Sequence, residues 1–176
     1  MNIIQVTALL FIAGTALTAA GFGIFPSQIY TEKSNQVKMS LLAAKPQRWI
    51  LSQSVVILGG ITTVAGAIIF FLAFRESQGV LLPGIGMAGF VLGHAFWIWQ
   101  LVLGIVHPEM FGNDTLDGRI FTRYTTLTLL ALVAYGIGFW VQGDTLVSGV
   151  AISLTSLMVL GLFLKFKTMP PIVYYA

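Results

Sequence analysis

Long apolar stretches alternate with short polar ones five times along the chain, and their lengths say what they are. The first run, Ile3 to Phe25, stops at Pro26. The second extends from Trp49 to Phe74 and ends at Arg75-Glu76, with Gly79 a terminator just beyond. The third starts near Pro83, a favoured first-turn position for proline, and reaches Val106 before His107-Pro108. The fourth, over 119–141, follows Asp117, and the fifth, over 145–165, follows Asp144; both aspartates are good N-caps. A bilayer core takes about 20 apolar residues at 1.5 Å each, and every run meets that length. The pattern predicts an all-α polytopic membrane bundle of five transmembrane helices, one domain over residues 1–176. The runs are far too long for the alternating strands of an outer-membrane barrel. An odd span number also argues against a simple inverted duplication.

Composition points the same way. Of the 176 residues, 57% are hydrophobic and only 9% charged, against about a quarter charged in a soluble domain. Helices are the expected spanning element, because lipid offers no partner to an open backbone group. The start, MNIIQVTALLFIAG, lacks a positive n-region and a cleavage site, so the first segment is expected to be retained. There is no cysteine, which excludes disulfides and thiolate metal sites.

The net charge is only +3, but its distribution sets orientation. Lys33, Lys38, Lys45 and Arg48 lie between the first two runs. Arg119 and Arg123 enter the fourth, and Lys165 and Lys167 follow the fifth. These are eight of the nine basic residues, and an odd number of spans puts all eight on one side. The positive-inside rule then gives N-out and C-in, in a prokaryotic plasma membrane. Tyr30, Trp49, Tyr124, Tyr174 and Tyr175 are expected at the inner interface and Trp140 at the outer one. In the first loop, Glu32 to Ala44 places Val37, Leu41 and Ala44 on one face, away from Lys33 and Lys38. That spacing predicts a short interfacial helix on the cytoplasmic leaflet; an ordinary ordered loop is the alternative.

The third run carries the richest pattern. Gly86, Gly89 and Gly93 form a small-residue stripe continued by Gln100 and Gly104, which suits close helix packing with Gln100 bonding a neighbour. Weaker tracks are Gly14, Thr18 and Gly21; Gly59, Thr62, Thr63 and Gly66; and Gly149, Ser153 and Ser156. Such tracks describe a compact bundle, with room for a partner, and do not discriminate function.

His94 is the sharpest residue, close to the midplane of the third run, where an ionisable group is costly. It could ligate a haem or a chlorophyll magnesium, or donate to a quinone carbonyl, with Trp97 flanking the ring. The plain reading, a neutral His94 bonded inside the bundle, carries more weight. His107 lies thirteen residues on, a gap similar to that between haem ligands on one cytochrome b helix. The similarity stops there, since each haem needs a second axial ligand and no further histidine exists. A second chain or a methionine would have to supply it. The loop HPEMFGNDTLDGR gathers His107, Glu109, Asn113, Asp114 and Asp117 without EF-hand spacing, and turn formation accounts for most of it.

Phosphate-loop, zinc-protease, serine-hydrolase and dinucleotide motifs are missing, as is a carboxylate within any span. The expectation is a non-catalytic subunit or scaffold of a membrane complex. Its partners would be lipid and other membrane subunits or further copies of itself, with no nucleic acid. Alternatives are a redox or pigment protein using His94, and a small-molecule or lipid carrier acting as an oligomer with Gln100 and His94 lining the path. An enzyme comes last. The tail from Met169 to Tyr175 is read as a helix stop followed by a return to the headgroups, or as a docking peptide.

Overall fold

A computed structural model describes residues 3–75, 81–141 and 146–166, and among them every regular element is a helix. The helices are α1 (Ile3–Ile24), α2 (Gln28–Thr31), α3 (Asn35–Ala44), α4 (Pro46–Phe74), α5 (Leu81–Val106), α6 (Pro108–Gly112), α7 (Gly118–Val141) and α8 (Leu146–Phe166). Four of them, α1, α4, α5 and α7, are long and apolar enough to cross a membrane. Helix α8 is a shorter apolar helix whose apolar part is Gly149–Lys165. Asp144, Gly79, Lys167 and the tail residues Met169 to Tyr175 fall outside the described residues, as does the side chain of Trp140.

Local chemistry explains the boundaries. Pro26 follows the end of α1, while Pro46 and Pro108 open α4 and α6, where the missing N–H is not needed. Helix α4 therefore starts at Pro46 rather than at Trp49, since polar Gln47 and Arg48 can be helical outside the apolar core. Asp117 caps α7, its Oδ1 accepting from the Arg119 amide at 2.9 Å. Ser34 caps α3 through the Val37 amide.

Each long helix packs chiefly on its neighbour in sequence, α1 on α4, α4 on α5, α5 on α7 and α7 on α8. Small residues make these seams close. A Cβ on Gly14 would meet Thr63 and the Gly59 carbonyl, and one on Gly59 would meet Thr18 and the Gly14 carbonyl. The motif Gly-x-x-x-Thr thus occurs once on each helix, and the two copies interlock. In α5, Gly86 faces the Tyr135 ring, Gly89 faces Ala131, and Gly93 faces Thr128 and the Tyr124 carbonyl. In α8, the Gly149 carbonyl and Ser153 crowd Gly136 of α7. The small-residue tracks are largely consumed inside the chain, as packing-driven association in lipid requires.

Three apolar layers stack along the bundle. Ala67, Phe90, Ala131 and Tyr135 form one; Val56, Trp97 and Leu101 form the next. The third, Phe25, Ile29, Leu42 and Trp49, lies at the end carrying α2, α3 and α6. Those short helices form a cap. Lys38 of α3 is buried, and its Nζ lies 2.6 Å from Asp114 Oδ1, just past α6, while Asn35 Nδ2 donates to the Asn113 carbonyl. Asp114 has a φ of 54°, a left-handed conformation that aspartate and asparagine tolerate better than most residues.

The expected short helix is thus present as α3. Lys38 and Leu42 point inward, whereas Val37 and Ala44 are exposed. The reason is a non-local ion pair that no local pattern announces.

Candidate functional site

His94 sits in the middle of α5, only 4% exposed. Its Nδ1 lies 3.0 Å from the Phe90 carbonyl, its one hydrogen bond among the described residues. A carbonyl only accepts, so Nδ1 carries the proton and Nε2 keeps its lone pair. The imidazole stacks on the Phe90 ring (5.3 Å, 15°) and meets the edges of Trp97 and Tyr124 at 6.0 and 5.4 Å. Trp97 and Tyr124 stack on each other at 4.7 Å, joining α5 to α7. On the α4 side, Gly60 brings backbone against the ring, so that a Cβ there would lie 3.6 Å from His94 Cδ2.

This arrangement bears on the cofactor candidates. Haem or chlorophyll bound at Nε2 would need a planar space several ångströms thick beside the imidazole. Phe90, Trp97, Tyr124 and the α4 backbone occupy those sides. Trp97 flanks the histidine as expected, but as a partner of Tyr124.

The other α5 candidates separate. Gly86, Gly89 and Gly93 line the α7 seam, whereas Gly104 faces Trp49 of α4. Gln100, expected to bond a neighbouring helix, has a buried Oε1 without a partner among the described residues. His107 lies beyond α5 at the N-cap of α6, with Nδ1 3.2 Å from Glu109 Oε1, so the two histidines do not share a helix. The acidic loop is distributed over separate tasks: Glu109 on His107, Asp114 on Lys38, Asp117 on the α7 terminus. Among the described residues no three metal-ligating side chains come together.

The densest polar arrangement lies elsewhere, at the start of α4. Trp49, Ser52 and Gln53 share one face at i, i+3 and i+4 spacing, each at most 3% exposed. Trp49 Nε1 donates to the Gly104 carbonyl at 2.8 Å, and Ser52 Oγ to the Gly21 carbonyl at 2.7 Å. Gln53 Nε2 donates to the Tyr30 hydroxyl at 3.2 Å. Both carbonyls lie near helix ends, where the last four acceptors lack intrahelical donors. At Gly104 the reason is explicit, since the residue four on is Pro108, which has no N–H.

Trp49 is therefore a core residue of the cap, as its 1% exposure records. Tyr30 is 38% exposed overall, but its hydroxyl is the shielded end, and burial pushes its pKa above the ordinary value against the Ser52 and Gln53 hydrogen bonds. The sequence signal for this cluster is a polar pair one turn inside an apolar run, together with a glycine four residues before a proline.

No protein-family model, no curated protein and no solved structure matches this chain.

Proposed function

We propose that the chain is a five-span protein of a prokaryotic plasma membrane, N-out and C-in, serving as a non-catalytic subunit or scaffold of a membrane complex. The orientation is supported by the cap. Packing of α3 on α6 gathers exposed Lys33, Lys45, Arg48 and Arg119 at one end of the bundle, the end that the positive-inside rule assigns to the cytoplasm. Helix α8, about 31 Å long at 1.5 Å per residue, supplies the fifth crossing in this reading. Helix α3 then lies at the inner boundary.

The scaffold role rests on one observation: Trp49, Ser52 and Tyr135, three interior polar side chains, bond the backbones of neighbouring helices. Trp49 holds α5, Ser52 holds α1, and Tyr135 reaches the Ala67 carbonyl of α4. His94 is enclosed by rings. These groups fix helix positions and do not converge on a point where bonds could be made or broken. Interhelical bonds of this kind contribute roughly 0.6–2 kcal/mol each in lipid, enough to define one rigid surface for a partner.

The test is native mass spectrometry of the tagged protein, extracted from its own membranes in mild detergent. A second polypeptide at fixed stoichiometry is the expected result. A bare monomer, or mass matching haem, chlorophyll or quinone, would overturn the scaffold reading.

A further inference from the structure

Helix α3 has three distinct sectors. Lys38 and Leu42 face the cap core. Gln36, Ser40 and Ala43 lie on the opposite side and are exposed. Between them, Val37, Leu41 and Ala44 follow i, i+4, i+7 spacing along one flank, where Val37 is 36% exposed and Ala44 exposed, while Leu41 is partly buried against the cap core. An apolar flank beside a polar back is the arrangement of a helix lying in a membrane interface, here on an element tethered at both ends to long apolar helices.

The charges around this flank are unbalanced. All four carboxylates among the described residues are engaged within the protein. Glu32 accepts from the Lys33 and Ser34 amides, Asp114 holds Lys38, Asp117 caps α7, and Glu109 meets His107. The exposed cations Lys33, Lys45, Arg48 and Arg119 have no carboxylate partner among the described residues. Exposed Lys45 and Arg48 follow Ala44 closely in sequence, at one end of the apolar flank. The surface beside Val37 and Ala44 therefore carries several positive charges that no carboxylate among the described residues neutralises.

We infer that the α3 flank is a docking surface for the anionic headgroups of the adjoining leaflet, with Val37 and Ala44 in the headgroup–acyl boundary and Lys33, Lys45 and Arg48 on lipid phosphates. Basic residues near an anionic leaflet each favour binding about fivefold, so three of them separate anionic from zwitterionic lipid clearly. The inference rests on the placement of α3 at the inner boundary.

The chain has no cysteine, so a single introduced thiol reports one position. V37C, A44C, Q36C and A43C would each be labelled with an environment-sensitive dye. Each would be placed in nanodiscs of phosphatidylcholine, with or without phosphatidylglycerol, and probed by iodide quenching. At 37 and 44 the label should be blue-shifted and shielded, several-fold more so with phosphatidylglycerol, while 36 and 43 stay quenchable throughout. K33Q/K45Q/R48Q in the V37C background, with its helicity checked by circular dichroism, should remove the phosphatidylglycerol effect. Quenching at 37 and 44 equal to that at 36 and 43 would overturn both the docking surface and the boundary placement of α3. Shielding that ignores lipid charge and the triple variant would overturn the anionic docking alone and leave the boundary placement standing.

Discussion

The indole of Trp49 supplies, at 2.8 Å, the hydrogen bond that Pro108 withholds from the Gly104 carbonyl. A donor on the first turn of α4 thus closes the last turn of α5, fifty-five residues away. Trp49→Phe keeps the ring against Phe25 and Phe111 but strands that carbonyl. The expected cost is about 1–3 kcal/mol, read as a fall in the midpoint of thermal unfolding in detergent. An unchanged midpoint would show that water reaches Gly104 and replaces the indole.

The glycines of the α1–α4 seam should separate sharply from those on open faces. A Cβ on Gly59 would come within 2.8 Å of the Thr18 amide, a backbone atom that cannot swing aside. Gly59→Ala should therefore force the helices apart and cost about 1–3 kcal/mol. Gly161 of α8 has nothing within 4 Å of the same position. Gly161→Ala should be neutral or stabilising by up to about 1 kcal/mol, the helix-propensity gain. Equal effects of the two substitutions on unfolding would contradict the seam.

The long helices were legible in the sequence because lipid imposes a length, and α1, α4, α5 and α7 meet it with ends close to the apolar boundaries. The cap was not. Its face on α3 is set by Lys38, a residue that local periodicity sends outward, and it points inward only because Asp114 waits seventy-six positions along the chain. Likewise Trp49 reads as an interfacial ring until the donorless end of α5 is brought beside it. His94 is legible as buried, whereas its company depends on the register between α5 and α7, which glycine contacts fix.

The Lys38–Asp114 pair gives an asymmetric prediction. The lysine is buried, whereas the Asp114 side chain is 61% exposed. Asp114→Asn tolerates the left-handed backbone but leaves an ammonium without its counter-charge, so a cap loss of about 1 kcal/mol is expected after solvent screening. Lys38→Met removes the charge and keeps the apolar stem, so it should cost less. Hydrogen exchange of the α3 amides would rank the two variants.

Acid should loosen the α2–α3 turn at one defined place. The Ser34 amide, with the Lys33 amide, Gln28 and the Lys38 charge helping, holds the Glu32 carboxyl below the ordinary glutamate value, against a smaller opposing effect of burial. A folded-state value below the unfolded one contributes stability above the ordinary value of about 4.3. That contribution fades as pH falls from there through the lowered folded-state value. Protection factors of the Lys33 and Ser34 amides, with the intrinsic pH dependence of exchange divided out, should fall over that acidic window and be flat near neutrality. In Glu32→Gln the acid dependence should vanish.

His94 separates a packing role from a ligand role most directly. The Phe90 carbonyl it bonds is its own i−4 partner, which already accepts the His94 amide within α5. Removing the imidazole nitrogen therefore strands nothing, and what remains to be preserved is a ring between Phe90, Trp97 and Tyr124. His94→Phe should then unfold within about 1.5 kcal/mol of the native chain, as volume-conserving core changes do. His94→Ala should cost about 2–5 kcal/mol through the cavity it opens. Partner retention in native mass spectrometry should follow stability, kept in His94→Phe and weakened in His94→Ala. Loss of function in a stable His94→Phe protein would instead mean that Nε2, the nitrogen with the lone pair, does chemistry that packing does not require.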